Sequence, residues 1–198
     1  MKPARNSRGR ARSRLFYEDE EPMDRGPRSA LWSRVSFNPY DAKKFPTGEP
    51  EWKLMHPFRQ RITMERMRCQ VCTNPARTPS GTIFLAGARD YPDTTPPLLT
   101  NQPPVCAKHV RTATALCDHL QEDPVVFLAT SAPLYGVLGT LYGVVDGEVQ
   151  VVAQPQEPLP LAHPNLPTLL ASQLVRRLAT FHVLTVPELT RALAKLST

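Results

Sequence analysis

The two stretches that decide the fold of this chain are Cys69-Gln70-Val71-Cys72 and Cys106-Ala107-Lys108-His109. Each stretch holds two metal-ligating side chains separated by two residues, and 33 residues lie between the stretches. Two thiolates at this spacing can both point into one tight turn, about 2.3 Å from a single zinc ion. The pattern Cys-x2-Cys-x33-Cys-x2-His therefore predicts a zinc site with four ligands, which are Cys69, Cys72, Cys106 and His109.

Other uses of these thiols stay open from the sequence alone. They could be small core groups with His109 at the surface, or Cys69 and Cys72 could form a redox pair. A second thiol-imidazole pair follows at Cys117 and His119. If the helix that starts near Cys106 continues, Cys117 lies about 16 Å further along its axis and packs in the core instead of sharing the metal.

The order of elements around the cysteines indicates the type of centre. Residues 81–88, GTIFLAGA, read as a strand, and a proline-rich loop over 91–104 follows. The second ligand pair then opens a run over 105–120 that is rich in Ala, Leu and Val and reads as a helix. A helix N-terminus favours thiolates through its unpaired amides and its dipole. The order is typical of a treble-clef or zinc-ribbon-like centre.

The remainder of the chain changes to β character and then to helices. Apolar runs over 125–129, 134–145 and 148–152 predict strands, and Asp146-Gly147 is typical of a two-residue hairpin turn. A helix over 168–180, a strand over 182–184 and a last helix after the capping box Thr185 to Glu188 follow. The predicted fold class is α+β, with a disordered basic and acidic tail (1–29), a zinc-binding module (30–120) and a β-hairpin and helical part (121–198). The last two segments can share one core.

Composition narrows the class of protein. The 198 residues include 22 prolines, about twice the average usage, which excludes a long-helix bundle or coiled coil. No apolar run approaches the roughly 20 residues that a membrane helix needs, and no apolar stretch follows the basic N-terminus as in a signal peptide. We expect a cytoplasmic protein with reduced thiols and no membrane partner.

The net charge of +6 is located almost entirely in the first 14 residues, which contain six basic side chains and no acidic one. This tail is either a solubilising extension or a contact for nucleic acid, whereas the acidic residues over 18–21 argue against a transit peptide. In the remaining chain, four arginines recur on a predicted helix that begins near Pro57. They are a candidate phosphate-binding face, or a solvated face that pairs with Glu65: Arg59, Arg61, Arg66 and Arg68.

Four stretches also carry a resemblance: HPFRQRITMERMRCQVCTNPA, GTIFLAG, PPVCAKHV and CDHL. They are similar to a group of uncharacterised actinobacterial and phage-related proteins built around a Cys-x2-Cys and Cys-x2-Cys centre, over about residues 52–145. The fourth ligand is usually cysteine in that group, where this chain has His109. The resemblance implies that Cys117 and His119 have a role, and it implies no activity.

The function predicted from these patterns is that of a non-enzymatic zinc-binding protein. Four protein ligands fill the Zn²⁺ tetrahedron, so no position is left for water or substrate. The structural metal would support binding of a macromolecule, with nucleic acid slightly favoured over a protein partner. The alternatives are a protein-protein adaptor and a metal-dependent nuclease on a treble-clef scaffold, although residues 73–105 contain no histidine to act as its general base.

Overall fold

The computed structural model describes residues 14–35, 39, 42, 47, 55–120 and 123–194. This part of the chain has a mixed α+β fold with three α-helices, which are α1 (Pro57–Glu65), α2 (Val110–Leu116) and α3 (Val186–Ala194). None of these helices is long and apolar enough to cross a membrane. The strands are β1 (Leu31–Trp32), β2 (Arg77–Thr78), β3 (Gly81–Gly87), β4 (Leu98–Thr100), β5 (Pro124–Ser131), β6 (Leu134–Val145), β7 (Glu148–Ala153), β8 (Leu159–Pro160), β9 (Leu169–Leu178) and β10 (Thr180–Leu184).

The chain divides into two compact units that do not follow its order. The first unit combines Met1–Arg59 with Leu138–Ser172, and the second combines Gln60–Val137 with Gln173–Thr198. The predicted boundaries at 29/30 and 120/121 do not coincide with this division. The chain passes between the units inside α1, β6 and β9, so both units contain residues from before and after position 120.

An antiparallel four-stranded sheet lies within the second unit, with the strand order β10-β5-β3-β2. Strand β3 is buried on both faces, and successive side chains alternate between the faces. Ile83 and Leu85 contribute to one apolar cluster, and Phe84 and Ala86 contribute to another. The sheet therefore has a core on each side, and the first of these cores carries the candidate metal centre.

The second sheet has the strand order β1-β9-β6-β7, with β4 also paired to β9 and β8 also paired to β6. Strands β6 and β7 form the hairpin predicted from Asp146-Gly147. Asp146 has φ 51° and Gly147 has φ 83°, the positive values that a type I′ turn requires. The hairpin prediction is confirmed.

The helix predicted over 168–180 is wrong, because Leu169–Leu178 forms strand β9. Its residues, LLASQLVRRL, include good helix formers, which is why the sequence favoured a helix. In the structure this strand pairs with both β1 and β4. Several strand partners and burial on both faces outweigh a helix preference of a few tenths of a kcal/mol per residue.

Residues 14–29 fall in the predicted disordered tail, yet they are held by specific polar contacts, whereas residues 1–13 lie outside the described part. The Arg34 guanidinium donates to Asp19 at 2.9 Å and to Asp24 at 2.6 Å. Arg34 lowers the pKa of the buried Asp24 carboxyl through these hydrogen bonds. The Leu15 amide donates to the Pro167 carbonyl at 2.9 Å. Asp19 and Asp24 therefore pair with an arginine from the same unit.

Helix α3 begins as predicted. The backbone N–H of Thr185 donates to the Glu188 carboxylate at 2.8 Å, and the Glu188 amide donates to the Thr185 hydroxyl at 3.3 Å. Leu189, on the next part of the helix, is 1% exposed and belongs to the same apolar cluster as Ile83 and Leu85. The capping box is confirmed, and it fixes the start of the helix that covers this core.

Candidate metal centre

The first ligand pair lies in a tight turn that follows α1. Met67 takes a positive φ of 51° and ends the helical path. The Cys69 amide then donates to the Asn74 carbonyl at 2.8 Å, and the Thr73 amide donates to the Cys69 carbonyl at 2.8 Å. Thr73 also has a positive φ of 59°. These backbone bonds close a knuckle over residues 69–74 that holds Cys69 and Cys72 at one site.

The second ligand pair is fixed to both the sheet and the knuckle. The Val105 amide donates to the Ile83 carbonyl of β3 at 2.9 Å, so the segment before Cys106 extends the sheet. The Gln70 amide donates to the Pro104 carbonyl at 3.0 Å. This last bond joins the two ligand segments through their backbones, although 33 residues separate them in sequence.

Cys106 and His109 occupy a short 3-10 turn that leads into α2. Residues Ala107–His109 form this turn, with Cys106 immediately before it in an extended conformation. The His109 amide donates to the Cys106 carbonyl at 2.9 Å. Both side chains are thus presented at the N-terminal end of the helical segment, as the sequence predicted.

The four predicted ligands come together in the structure. Their donor atoms all lie within 4.8 Å of one another. The sulfurs of Cys72 and Cys106 are 3.8 Å apart, which equals the edge of about 3.8 Å of a tetrahedron with Zn–S bonds of about 2.3 Å. The Cys106 sulfur lies 3.2 Å from Nδ1 of His109, somewhat less than the corresponding edge of about 3.6 Å. The cluster has the size of a tetrahedral metal site.

The centre is built into the apolar core of the second unit. Cys69 is fully buried, and Cys72, Cys106 and His109 are half-buried. The three thiols pack in one cluster whose buried members on the sheet and helices are Ala76, Ile83, Leu85, Val105, Val110, Ala113, Leu120, Val126, Leu128 and Leu189. A metal at this position would therefore connect the knuckle and α2 at a point where both already contact the sheet.

The thiols influence one another's ionisation. Burial acts to raise the pKa of Cys69, but backbone hydrogen bonds at Cys106, Cys72 and Val71 outweigh it and lower that pKa. Burial, together with the neighbouring Cys69, raises the pKa of Cys106 to about 11. Thiolates this close repel one another, and a divalent cation between them removes the repulsion. The donor set is therefore suited to a cation.

Cys117 and His119 lie outside this group of four donors. Helix α2 ends at Leu116, and Cys117 is its extended C-terminal residue, partly buried against the same core. His119 is exposed, and its carbonyl contacts β3: a Cβ added at Gly87 would lie 2.6 Å from this oxygen. The predicted helix over 105–120 is therefore interrupted, and its end is packed against the sheet.

The four candidate arginines do not form one accessible face. Arg59 and Arg66 are exposed. Arg61 is only 4% exposed, and its Nε lies 4.0 Å from the Glu65 carboxylate. Arg68 donates to the Thr73 carbonyl at 2.8 Å and thereby supports the knuckle. The phosphate-binding prediction thus loses Arg61, because its buried guanidinium lies next to Glu65 and not on the same exposed face as Arg59 and Arg66.

Two buried polar residues that the sequence analysis did not identify hold α1, the helix that precedes the knuckle. The Gln60 side chain of α1 exchanges hydrogen bonds of 2.8 Å with the backbone of Leu174, and it also donates to the Asn101 carbonyl at 2.8 Å. The Arg176 guanidinium of β9 donates to the carbonyls of Met64 and Glu65 at the end of α1. No local sequence signal marks either residue, because their partners lie between 41 and 114 positions away.

Comparisons of the chain with protein-family models, with curated proteins and with solved structures give no match. The resemblance to actinobacterial and phage-related proteins stays a prediction. The feature of the molecule that points to a function is therefore the cluster formed by Cys69, Cys72, Cys106 and His109, four side chains that could hold one metal ion.

Proposed function

We propose that this chain is a zinc-binding protein whose metal has a structural role. The observation that carries the proposal is the convergence of three thiols and one imidazole within 4.8 Å, at the predicted spacing. Zinc favours this donor set and accepts tetrahedral geometry without cost, because its filled d shell has no directional preference. The turn, the sheet and the ligands at a helical N-terminus favour a treble-clef-like centre.

A structural role follows from the number of ligands. Four protein donors complete the coordination of zinc and leave no open position at which water could be activated. The ligands also come from two segments whose backbones meet through a hydrogen bond from the Gln70 amide to the Pro104 carbonyl. A metal would add four strong bonds across the same junction. Three thiolates must stay reduced for this purpose, which agrees with the proposed cytoplasmic location.

Metal content is the direct test. We expect elemental mass spectrometry of the protein, purified without chelator, to give one zinc per chain. The variants Cys69→Ser and His109→Ala should lose the zinc and melt at a lower temperature, because binding of a structural metal is linked to folding. Cys117→Ser is the matched control, since this thiol lies outside the four donors, and it should retain the zinc. A wild-type protein without metal would overturn the proposal.

We further propose that the zinc-supported unit binds a macromolecule, with nucleic acid as the favoured class. The support is a charge imbalance near the ligands: residues 66–88 and 94–117 contain five basic and no acidic side chains. Among them, Arg66 and Lys108 are exposed. Basic side chains next to a site with three thiolates also offset its negative charge, so their presence alone does not decide between the two uses.

The salt dependence of oligonucleotide binding distinguishes a nucleic-acid contact from basic side chains that only offset the thiolate charge. Binding to phosphates releases counterions, so the affinity for an oligonucleotide should fall steeply with salt, and Arg66→Ala with Lys108→Ala should reduce the slope of log K against log salt by roughly 1–2. Arg89→Ala is the control, because this exposed arginine lies on a different turn after β3. Undetectable binding at low salt would refute the nucleic-acid proposal and leave a protein partner.

A further inference from the structure

A cavity of about 510 Å³ lies in the second unit, beside the edge strand β2 and the end of β5. Two arginines line it, Arg77 from β2 and Arg176 from β9, together with the hydroxyl residues Thr78, Ser80, Thr130 and Ser131. None of the described residues that line this cavity is acidic. The cavity shares none of the four candidate metal ligands, so it is a separate feature of the molecule.

Arg176 is an unusual residue for the lining of a cavity. It is only 6% exposed, and within the described part of the chain it donates to three backbone carbonyls, those of Met64, Glu65 and Ala132. Within the described residues no carboxylate lies at ion-pair distance from it. A buried charge that contacts only neutral dipoles is costly, because the interior does not replace the solvation of water.

The charge of Arg77 also acts on Arg176. Burial, together with the positive charge of Arg77, lowers the pKa of Arg176 to about 10, whereas Glu65 acts in the opposite direction. The Glu65 carboxylate lies 4.0 Å from Arg61, so it is shared with a second guanidinium. Even so, Arg176 is protonated at neutral pH. Arg77 and Arg176 are thus two cations that line one cavity, and an anion bound in the cavity would offset their repulsion.

Hydrogen-bond donors are available there as well. The Arg176 guanidinium has five N–H groups, and its bonds to carbonyls account for four of them, which leaves one on Nη1. The hydroxyls of Ser80 and Ser131 make no hydrogen bond with another described residue. Thr78 and Thr130 donate to the carbonyls of Gly81 and Thr180 and so are already used.

From this combination we propose that the cavity between Arg77 and Arg176 is a binding site for a phosphate group. A phosphate brings one or two negative charges and several acceptor oxygens, which suits guanidinium and hydroxyl donors arranged around one space. The volume exceeds that of inorganic phosphate, so the cavity also has room for the remainder of a larger phosphorylated molecule. The source of the phosphate group is either a small phosphate ester or a phosphodiester of nucleic acid.

The test is a titration of the zinc-loaded full chain with inorganic phosphate, followed by the amide resonances in a ¹H–¹⁵N NMR spectrum. We expect saturable shifts at residues around the cavity, including Ser80, Gly81 and Ser131, and no such shifts with chloride at equal ionic strength. Arg77→Ala should weaken phosphate binding about tenfold, because one charge-assisted contact is lost. Arg77 is exposed, so this variant should fold and keep its zinc.

Arg89→Ala is the matched control and should bind phosphate as the wild type does. Arg176→Lys provides a second variant that keeps the charge but loses the planar fork, and it should also weaken binding. A mononucleotide and a short oligonucleotide, each in competition with phosphate, distinguish the two sources. Shifts that are spread over the surface, or that persist unchanged in Arg77→Ala, would overturn the proposal. Zinc content is measured on the same samples, so failure of the phosphate proposal can be distinguished from failure of the zinc proposal.

Discussion

Replacement of Gln60 by leucine should destabilise the protein without removing the metal ligands. Gln60 is 1% exposed, and its amide group satisfies both the N–H and the carbonyl of Leu174 on β9. Gln60→Leu keeps the volume of the side chain but leaves these two buried backbone groups without a partner. It also removes the donor to the Asn101 carbonyl, which water can reach because that bond is only partly buried.

The magnitude follows from the number of unpaired groups. Each buried polar group that loses its partner costs about 1–3 kcal/mol, so two of them give a loss of about 2–6 kcal/mol in the free energy of unfolding. For a chain of this length, 1 kcal/mol corresponds to a shift of about 2–4 °C in the melting temperature. A loss of about 3 kcal/mol would then lower the melting temperature by about 6–12 °C.

The assay combines thermal unfolding with zinc analysis of the same sample. Gln150→Leu is the matched control, since Gln150 is exposed on β7, and we expect a change within about 0.5 kcal/mol. Gln60→Leu should still bind one zinc, because Gln60 acts on the scaffold and not on the metal. An unchanged melting temperature would show that β9 does not depend on this side chain, and the assignment of Gln60 as the anchor of α1 would be wrong.

Three further predictions concern the backbone and the last helix. Gly81→Ala should lower the free energy of unfolding by more than about 2 kcal/mol, because Gly81 has φ 135° and an added Cβ would lie 2.6 Å from the Ala129 carbonyl oxygen. Gly147→Ala should cost only about 1 kcal/mol, because Gly147 has φ 83° and an added Cβ would have nothing within 4 Å. Thermal unfolding of both variants checks the difference. Thr185→Ala should remove the cap of α3 at a cost of about 1 kcal/mol, seen as faster amide exchange in the first turn of that helix. Hydrogen bonds from the backbone N–H and then the hydroxyl of Thr185 lower the pKa of Glu188, so its contribution is complete above its unfolded pKa and is lost as the pH falls through the lower folded value. Exchange in this turn should therefore accelerate in acid. Thr185→Ala should remove only part of that pH dependence, because alanine keeps the backbone N–H.

Local chemistry explains which parts of the site could be predicted. The ligand pairs at 69–72 and 106–109 are each contained in one turn, so their spacing already limits their geometry. The helical segment after Cys106 and the turn at Asp146-Gly147 are likewise set by residues that are neighbours in sequence. These features require no knowledge of distant partners, and the structure places them where the sequence predicts.

Features that depend on distant partners were missed or wrong. Strand β9 reads as a helix by itself and becomes a strand only because it lies between β1 and β6 in the sheet and also pairs with β4. Arg61 and Arg66 look alike in sequence, yet Arg61 is buried and Arg66 is exposed. The helical period assigns both residues to a helix but does not say which face of the helix packs against the core, because that depends on the elements that contact α1.

The sequence by itself determined the four candidate ligands, the α+β class and the turns, because each of these depends on residues a few positions apart. Only the tertiary structure decided that the two ligand segments meet through Gln70 and Pro104, and that Gln60 and Arg176 fix α1 to β9. It also decided that Arg77 and Arg176 line the same cavity. The physical reason is that hydrogen bonds and burial across about 100 residues are set by how strands pair, and strand pairing leaves no mark at a single position in the chain.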